Sequence, residues 1–312
     1  MKRHVSLVVV TLSALVLTGC FTGVESTPKI TADDVKREQI VVTPEQLYMD
    51  SVKPEPFISW RPGKQFYVTD NKINLIFGAT AKSDRALMGE TIEYRDCRAT
   101  NSVTGEEVVD LVFADNQDCE YLYRVGMSVK DMLERENVEV PFTIELSVIS
   151  DAKKKLQGNT YYILTPMWYD FNEEISHGRK FVPVKINDIQ PGNHIYPLRL
   201  VCEDERGDEF QLFMSVGGGK KSPRRFSALF SFTDPHLKYP LIIDEVWQNI
   251  INGKVAPDMT RDECRLSLGA PKEIDRRPGY SGVREMWIYE NGVYLIFEDG
   301  LLREFRNDAV IR

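Results

Sequence analysis

Met286-Trp287-Ile288-Tyr289-Glu290-Asn291-Gly292-Val293-Tyr294-Leu295-Ile296-Phe297-Glu298-Asp299-Gly300-Leu301-Leu302-Arg303-Glu304-Phe305 decides the fold of the carboxy-terminal part of this chain. Three short apolar runs are separated by Asn291-Gly292 and Asp299-Gly300. Both pairs are two-residue hairpin signals, in which both central positions need positive φ. The spacing predicts antiparallel strands over Arg284–Tyr289, Val293–Glu298 and Leu301–Phe305. Immediately upstream, Val246, Trp247, Ile250 and Ile251 recur at helical spacing within Asp244–Asn252, and Gly253 is placed to end that helix. Thr260-Arg261-Asp262-Glu263 is a capping box, in which the threonine hydroxyl takes an orphan amide while the glutamate reaches back. The second helix then runs through Cys264, Leu266 and Leu268 to Gly269 and Pro271, and a polar loop leads to the strands. Residues 244–312 therefore read as one α+β unit, two helices followed by a three-stranded meander. One sheet face is buried by the helices. Trp287, Tyr289 and Tyr294 are the aromatics expected to form a partner-binding face.

The residues Asp258–Glu263, Leu268-Gly269-Ala270-Pro271, Met286-Trp287-Ile288-Tyr289 and Tyr294–Gly300 together resemble the SmpA/OmlA group, the BamE-like lipoproteins of outer-membrane protein assembly. Their fold is shared with the repeats of β-lactamase inhibitor protein. The resemblance covers about Glu245 to Arg306 and implies a binding module. It is a signature of fold more than of function, because modules of one shape serve many tasks.

Working outward, the other end of the chain supplies an address. Met1-Lys2-Arg3-His4, the apolar run from Val5 to Leu17 and the small pair Thr18-Gly19 before Cys20 read as a signal peptide over residues 1–19. Leu17-Thr18-Gly19-Cys20 looks like a lipoprotein cleavage box. That resemblance implies cleavage before Cys20 and lipidation of its thiol and amino group. Residues 20–45 are rich in Thr, Glu, Lys and Asp and read as a tether. The mature chain would have 37 basic residues against 47 acidic ones, a net charge of −10, which gives non-specific nucleic-acid binding no support. With no apolar run near 18 residues after Cys20, membrane attachment is expected through the lipid alone. Phe21, in place of an aspartate at the position after Cys20, favours an outer-membrane location, with the body on the periplasmic face.

Between tether and end module the texture is β-rich. Residues 46–170 and 171–240 are expected to form two small barrel- or sandwich-like units. Strands are predicted at Gln65–Val68, Ile73–Phe77, Thr91–Tyr94, Val108–Phe113, Phe181–Ile186, Tyr196–Cys202, Glu209–Val216 and Arg225–Phe232, with a helix over Ser128–Arg135. Gly63, Gly89 and Gly105 correspond to Gly178, Gly192 and Gly207 as landmarks of a duplication. The first gap differs, 26 residues against 14, so a duplication requires an insertion in the first copy.

Chemistry-bearing patterns are sparse. His177, His194 and His236 fall in turn-like settings without cysteine or carboxylate at ligand spacing. There is no nucleophile elbow, and Gly217-Gly218-Gly219-Lys220-Lys221-Ser222 lacks the order of a phosphate loop. No metal, cofactor or catalytic activity is expected. Cys97 and Cys119 flank one predicted hairpin and are the candidate disulfide; Cys264 reads as a small buried hydrophobe. Lys220, Lys221, Arg224 and Arg225 form a local basic cluster. The aromatic run Tyr161–Tyr169, with Trp168 at its centre, could be a core strand or an exposed recognition strip. The expected function is a non-catalytic outer-membrane lipoprotein, a protein-interaction or assembly factor of the cell envelope. The alternative is a lipoprotein that binds a glycan or small ligand through Trp168.

Overall fold

The computed structural model describes residues 42–77, 86–102, 105–216, 223–279 and 282–306. The signal peptide, Cys20, most of the tether and the Gly217–Ser222 loop lie outside the described residues.

The first sheet contains β1 (Gln65–Val68), β2 (Thr91–Asn101), β3 (Glu107–Ala114), β4 (Glu120–Arg124) and β5 (Thr143–Glu145), in the order β4-β3-β2-β1-β5 with antiparallel neighbours. Short helices α2 (Ile73–Ile76) and α3 (Val129–Glu134) accompany it, whereas α1 (Pro44–Leu47) lies against the Phe226–Leu229 turn of the second sheet. Its core gathers Phe57, Trp60, Phe66, Phe77, Phe113, Tyr121 and Met132. Ser128 caps α3 by accepting from the Asp131 amide, and α3 lies within the Ser128–Arg135 helix that the sequence predicts. Ile73–Phe77, predicted as a strand, is instead the helix α2. Asp70 turns the chain ahead of it, accepting from the Lys72 amide at 2.9 Å, and a four-residue apolar run carries no period to separate strand from helix.

The second sheet follows α4 (Leu146–Leu156) and contains β6 (Thr160–Ile163), β7 (Met167–Tyr169), β8 (Ile175–His177), β9 (Pro183–Pro191), β10 (Leu198–Asp204) and β11 (Glu209–Met214). After α5 (Phe226–Leu229), the two-residue β12 (Phe230–Ser231) completes the order β12-β6-β9-β10-β11-β7-β8. Two sequence expectations change here. β6 and β7 belong to this sheet, so the strands regroup before α4 and not at residue 170. Arg225–Phe232 is chiefly a helical turn, with Phe226 and Leu229 pointing into the core. Of the landmark glycines, Gly63 and Gly89 take positive φ ahead of β1 and β2, whereas their counterparts Gly178 and Gly192 do not. Gly105 and Gly207 both take positive φ in the β2–β3 and β10–β11 hairpins.

The third sheet is the carboxy-terminal unit: α6 (Asp244–Ile251), α7 (Arg261–Leu268), then β13 (Glu273–Gly279), β14 (Gly282–Ile288), β15 (Tyr294–Glu298) and β16 (Leu301–Arg306), in that spatial order. The mixed α+β class and the helix–helix–sheet arrangement agree with the sequence reading. The capping box is formed, with the Thr260 amide donating to Glu263 Oε2 at 2.7 Å and the Glu263 amide to Thr260 Oγ1 at 3.3 Å. Asp299 and Gly300 both have positive φ, 50° and 85°, as a two-residue turn demands. At the other hairpin only Gly292 does, because a three-residue loop from Glu290 closes with the Gly292 amide donating to the Tyr289 carbonyl. β13 is a fourth strand where the sequence reads as a polar loop. Glu273, Asp275, Arg276, Arg277 and Pro278 are the charges and proline typical of a protected sheet edge, and they hide the strand period.

A short segment before β9 ties the end unit to the second sheet. The Lys180 amide donates to the carbonyl of Ile251, the last residue of α6, at 3.2 Å. Its ammonium, on a side chain only 5% exposed, donates to the Leu266 and Ser267 carbonyls at the end of α7. Phe181 packs edge-on against Trp247, and Ile251 is shared with the second core. Lys180 thus satisfies a carbonyl at the end of α6 with its neutral amide and two at the end of α7 with its ammonium, where the α7 dipole favours positive charge.

Candidate functional site

Strand period decides which face of the third sheet can meet a partner. In β14 and β15 the residues Glu285, Trp287, Leu295 and Phe297 turn inward onto α6 and α7. Met286, Ile288, Tyr294 and Ile296 turn outward and are half-buried, with Met286 opposite Ile296 and Ile288 opposite Tyr294. Among the described residues this outward stripe is only partly covered. A shallow groove of about 220 Å³ crosses it, lined by Asp275, Arg277, Arg284, Met286 and Ile296. Arg277 is held by Asp275 at 2.8 Å, so the groove has apolar floor residues and a charged rim.

The expected aromatic face therefore does not form. Trp287 is 1% exposed, its indole Nε1 donating to Glu285 Oε2 at 3.2 Å, with Phe297 at 4.7 Å and the Arg265 guanidinium over its ring at 4.9 Å. Tyr289 packs on the same core and donates its hydroxyl to the Gly269 carbonyl at 3.2 Å, and burial pushes that phenol up. Of the three residues, only Tyr294 lies on the outward stripe. The odd–even alternation of 286 to 289 against 294 to 297 was the available signal, and it assigns Met286, Ile288 and Ile296 to the face in place of Trp287 and Tyr289.

Beneath the sheet, the buried Glu285 carboxylate is held by Arg261 at 2.9 Å and Arg276 at 3.2 Å. Such a charge is tolerated only when paired, so this trio positions Trp287 and is not available for chemistry.

Trp168 is likewise no recognition residue. It is 6% exposed, stacks on Phe210 at 3.7 Å with the rings 8° from parallel, and donates its indole N–H to the Thr165 carbonyl. Gly178 lies flat against it, and a Cβ there would come within 1.8 Å of the indole. Tyr161 is also buried, among Tyr48, Phe226 and Phe230. The aromatic run is core wherever it faces the second sheet's interior, which corrects the expectation of a contact through Trp168.

The candidate disulfide is not formed. Cys97 and Cys119 are free thiols. Cys97 faces Leu111 across β2–β3, while Cys119 lies in the β3–β4 turn, its carbonyl accepting from the Asp115 amide. β3 runs between them, separating the two by about 10 Å in the hydrogen-bonding direction alone, beyond the reach of a disulfide. Burial raises the Cys97 thiol pKa, with the nearby Asp96 adding to the shift. Cys264 is buried and pushed up to about 12 by desolvation, fitting its reading as a small hydrophobe.

Acid–base chemistry finds little footing. A cleft of about 160 Å³ is lined by Phe66, Glu139, Val140, Glu145, Val148 and His194. Glu145 is taken up by Lys64 at 2.6 Å, which also binds Glu55 at 2.7 Å. Among the described residues no hydrogen bond joins Glu145 to Glu139 or His194. His236 Nδ1 is 2.6 Å from Asp234 Oδ1, a carboxylate partner two residues away that the sequence reading missed. Among the described residues no cluster of three or more His, Cys, Asp or Glu could hold a metal ion, and no helix is long and apolar enough to cross a membrane.

No family model, no curated protein and no solved structure matches this chain.

Proposed function

We propose that this protein is a lipid-anchored envelope lipoprotein without catalysis of its own, whose end module docks a protein partner on the outward face of β14 and β15. The observation that carries the reading is the stripe Met286, Ile288, Tyr294 and Ile296, half-exposed on one sheet face and rimmed by Arg277, Arg284 and Asp275. An apolar center with a polar rim is what a partner's hot-spot residues require. The resemblance of the end module to BamE-like lipoproteins points to an assembly-type partner, and the cleavage box at Cys20 to acylation and an outer-membrane, periplasm-facing location. Anchoring on a surface raises the effective concentration of module and partner without adding a contact.

The test is affinity capture from detergent-solubilised envelopes, read by mass spectrometry, with wild type, Ile288→Arg, Ile296→Asp and Cys20→Ser. The reading expects a discrete set of envelope proteins with wild type, lost in both face variants and reduced without the anchor. Labelled palmitate should enter wild type but not Cys20→Ser. Identical captures from wild type and both face variants would reject the docking face, and unlabelled wild type would reject the anchor.

A further inference from the structure

The side of the second sheet that faces away from its core carries several buried polar atoms that no described residue pairs. Arg199 on β10 pairs across with Phe213 on β11 and Gln190 on β9, and Gln211 pairs with Val201 and with Tyr169 on β7. These side chains share one face. Arg224, following β11, lies over two tyrosines, its guanidinium carbon 5.4 Å from the Tyr169 ring center and 5.9 Å from that of Tyr196. Tyr169 in turn meets Phe213 edge-on at 5.0 Å.

On this face Arg199 Nε, Arg224 Nη2 and Gln211 Oε1 are each buried without a hydrogen-bond partner among the described residues. Gln211 as a whole is only 3% exposed. The rest of each arginine is committed. Arg199 donates to Glu173 at 3.2 Å and to Gln190 at 3.0 Å. Arg224 donates to the Phe213 carbonyl at 2.7 Å and meets the Met167 sulfur at 3.5 Å, and among the described residues it has no ion pair with a carboxylate. A buried polar atom left unmade is costly, so several of them on one sheet face call for an explanation. An arginine held over aromatic rings with an unpaired N–H donor has the chemistry to take an oxyanion once that nitrogen is uncovered.

We infer that the Arg199–Gln211–Arg224 face binds a carboxylated sugar. The ligand class follows from the unused groups. The two guanidinium N–H donors ask for an oxyanion, and Gln211 Oε1 asks for a donor, which a simple carboxylate at neutral pH lacks. The tyrosine rings ask for a surface of C–H groups, which a pyranose ring presents. A uronate carries all three features. Its carboxylate takes the free nitrogens of Arg224 and Arg199, a hydroxyl donates to Gln211 Oε1, and the ring lies beside Tyr169 and Tyr196. Entry requires Arg224 and Tyr196 to swing outward, since the receiving atoms are covered in the resting face.

The experiment is a calorimetric or NMR titration of the full chain in detergent with D-glucuronate, against D-glucose, acetate and N-acetyl-aspartate amide. Saturable glucuronate binding, at least tenfold tighter than any of the three controls, is expected. Arg224→Gln should weaken it about tenfold, the loss of one charge-assisted hydrogen bond. Gln211→Leu should also weaken binding while raising the thermal midpoint, because it removes an unsatisfied buried acceptor; this second variant decides the matter if Arg224→Gln fails to fold. Glucuronate binding no tighter than any control overturns the inference, as does unchanged binding in the variants or a lower midpoint for Gln211→Leu. The docking face is tested by other residues, so Ile288→Arg should leave this titration unmoved.

Discussion

Replacing Lys180 by methionine, which keeps the volume and removes the charge, probes the joint between the second sheet and the end module. In the folded chain the Lys180 ammonium is buried and donates to two carbonyls at the end of α7. Burial pulls its pKa from 10.5 down to about 8. The folded pKa lies below the unfolded one, so between these values the unfolded chain binds more protons and stability rises with pH. Below about pH 8 the wild type carries the whole charging penalty, and above about 10.5 none of it. At 1.36 kcal/mol per pKa unit, the window is worth about 3 kcal/mol. Lys180→Met cannot titrate there. At pH 7 the variant loses two charge-assisted hydrogen bonds of about 1.5–3 kcal/mol each but also escapes the penalty of about 3 kcal/mol, leaving it about 0–3 kcal/mol less stable. The stability gap should then widen by about 3 kcal/mol between pH 8 and 10.5. Urea unfolding of both proteins across that range, followed by tryptophan fluorescence, measures it. A gap that stays constant or narrows with rising pH would refute the assignment of Lys180 as a buried, charged clamp.

Three further outcomes follow from the same packing. Trp287→Ala should cost about 3–5 kcal/mol in thermal or urea unfolding, the loss of a fully buried aromatic, whereas Tyr294→Ala on the outward stripe should cost under about 1.5 kcal/mol. Equal costs would contradict the facing of β14 and β15. Thr260→Ala should destabilise by about 1 kcal/mol through loss of the capping box, read as a lower urea midpoint at an unchanged slope. Peptide mapping under non-reducing conditions should recover Cys97 and Cys119 as unlinked, alkylatable peptides; a Cys97–Cys119 cross-linked peptide would contradict the register of the first sheet.

The parts of the fold that were legible in the sequence are those specified by short-range physics. The α7 capping box, the stop at Gly269 and the Asp299-Gly300 turn each depend on residues within one turn of chain, and each is found in place. β13 was missed because an edge strand is protected by the same charges and proline that mark a loop. The helix α2 was misread because Ile73-Asn74-Leu75-Ile76 is too short to show a period. The grouping of β6 and β7 with the second sheet rests on pairings between distant segments, such as Tyr161 with Val184, for which local pattern holds no signal. At the candidate sites, aromatic content misled. Trp168 and Trp287 read as contacts, yet large rings are the residues a core most readily takes up, and only register separates Trp287 from Tyr294. The Arg199–Gln211–Arg224 face was invisible in sequence because its members come from two strands and a loop, and the basic run that includes Arg224 suggested a solvated cluster. Lys180 gave no pattern either; its role depends on two helix ends brought to it by the fold.

The most direct measurement of the central claim is photo-crosslinking in intact cells. A photoreactive phenylalanine analogue would replace Tyr294 on the outward stripe, and in a parallel strain Gln65, an exposed residue on β1. Docking on the β14–β15 face predicts a discrete adduct with an envelope protein at position 294, absent at position 65 and diminished in a Cys20→Ser background. No adduct at position 294, or the same adducts at both positions, would contradict it.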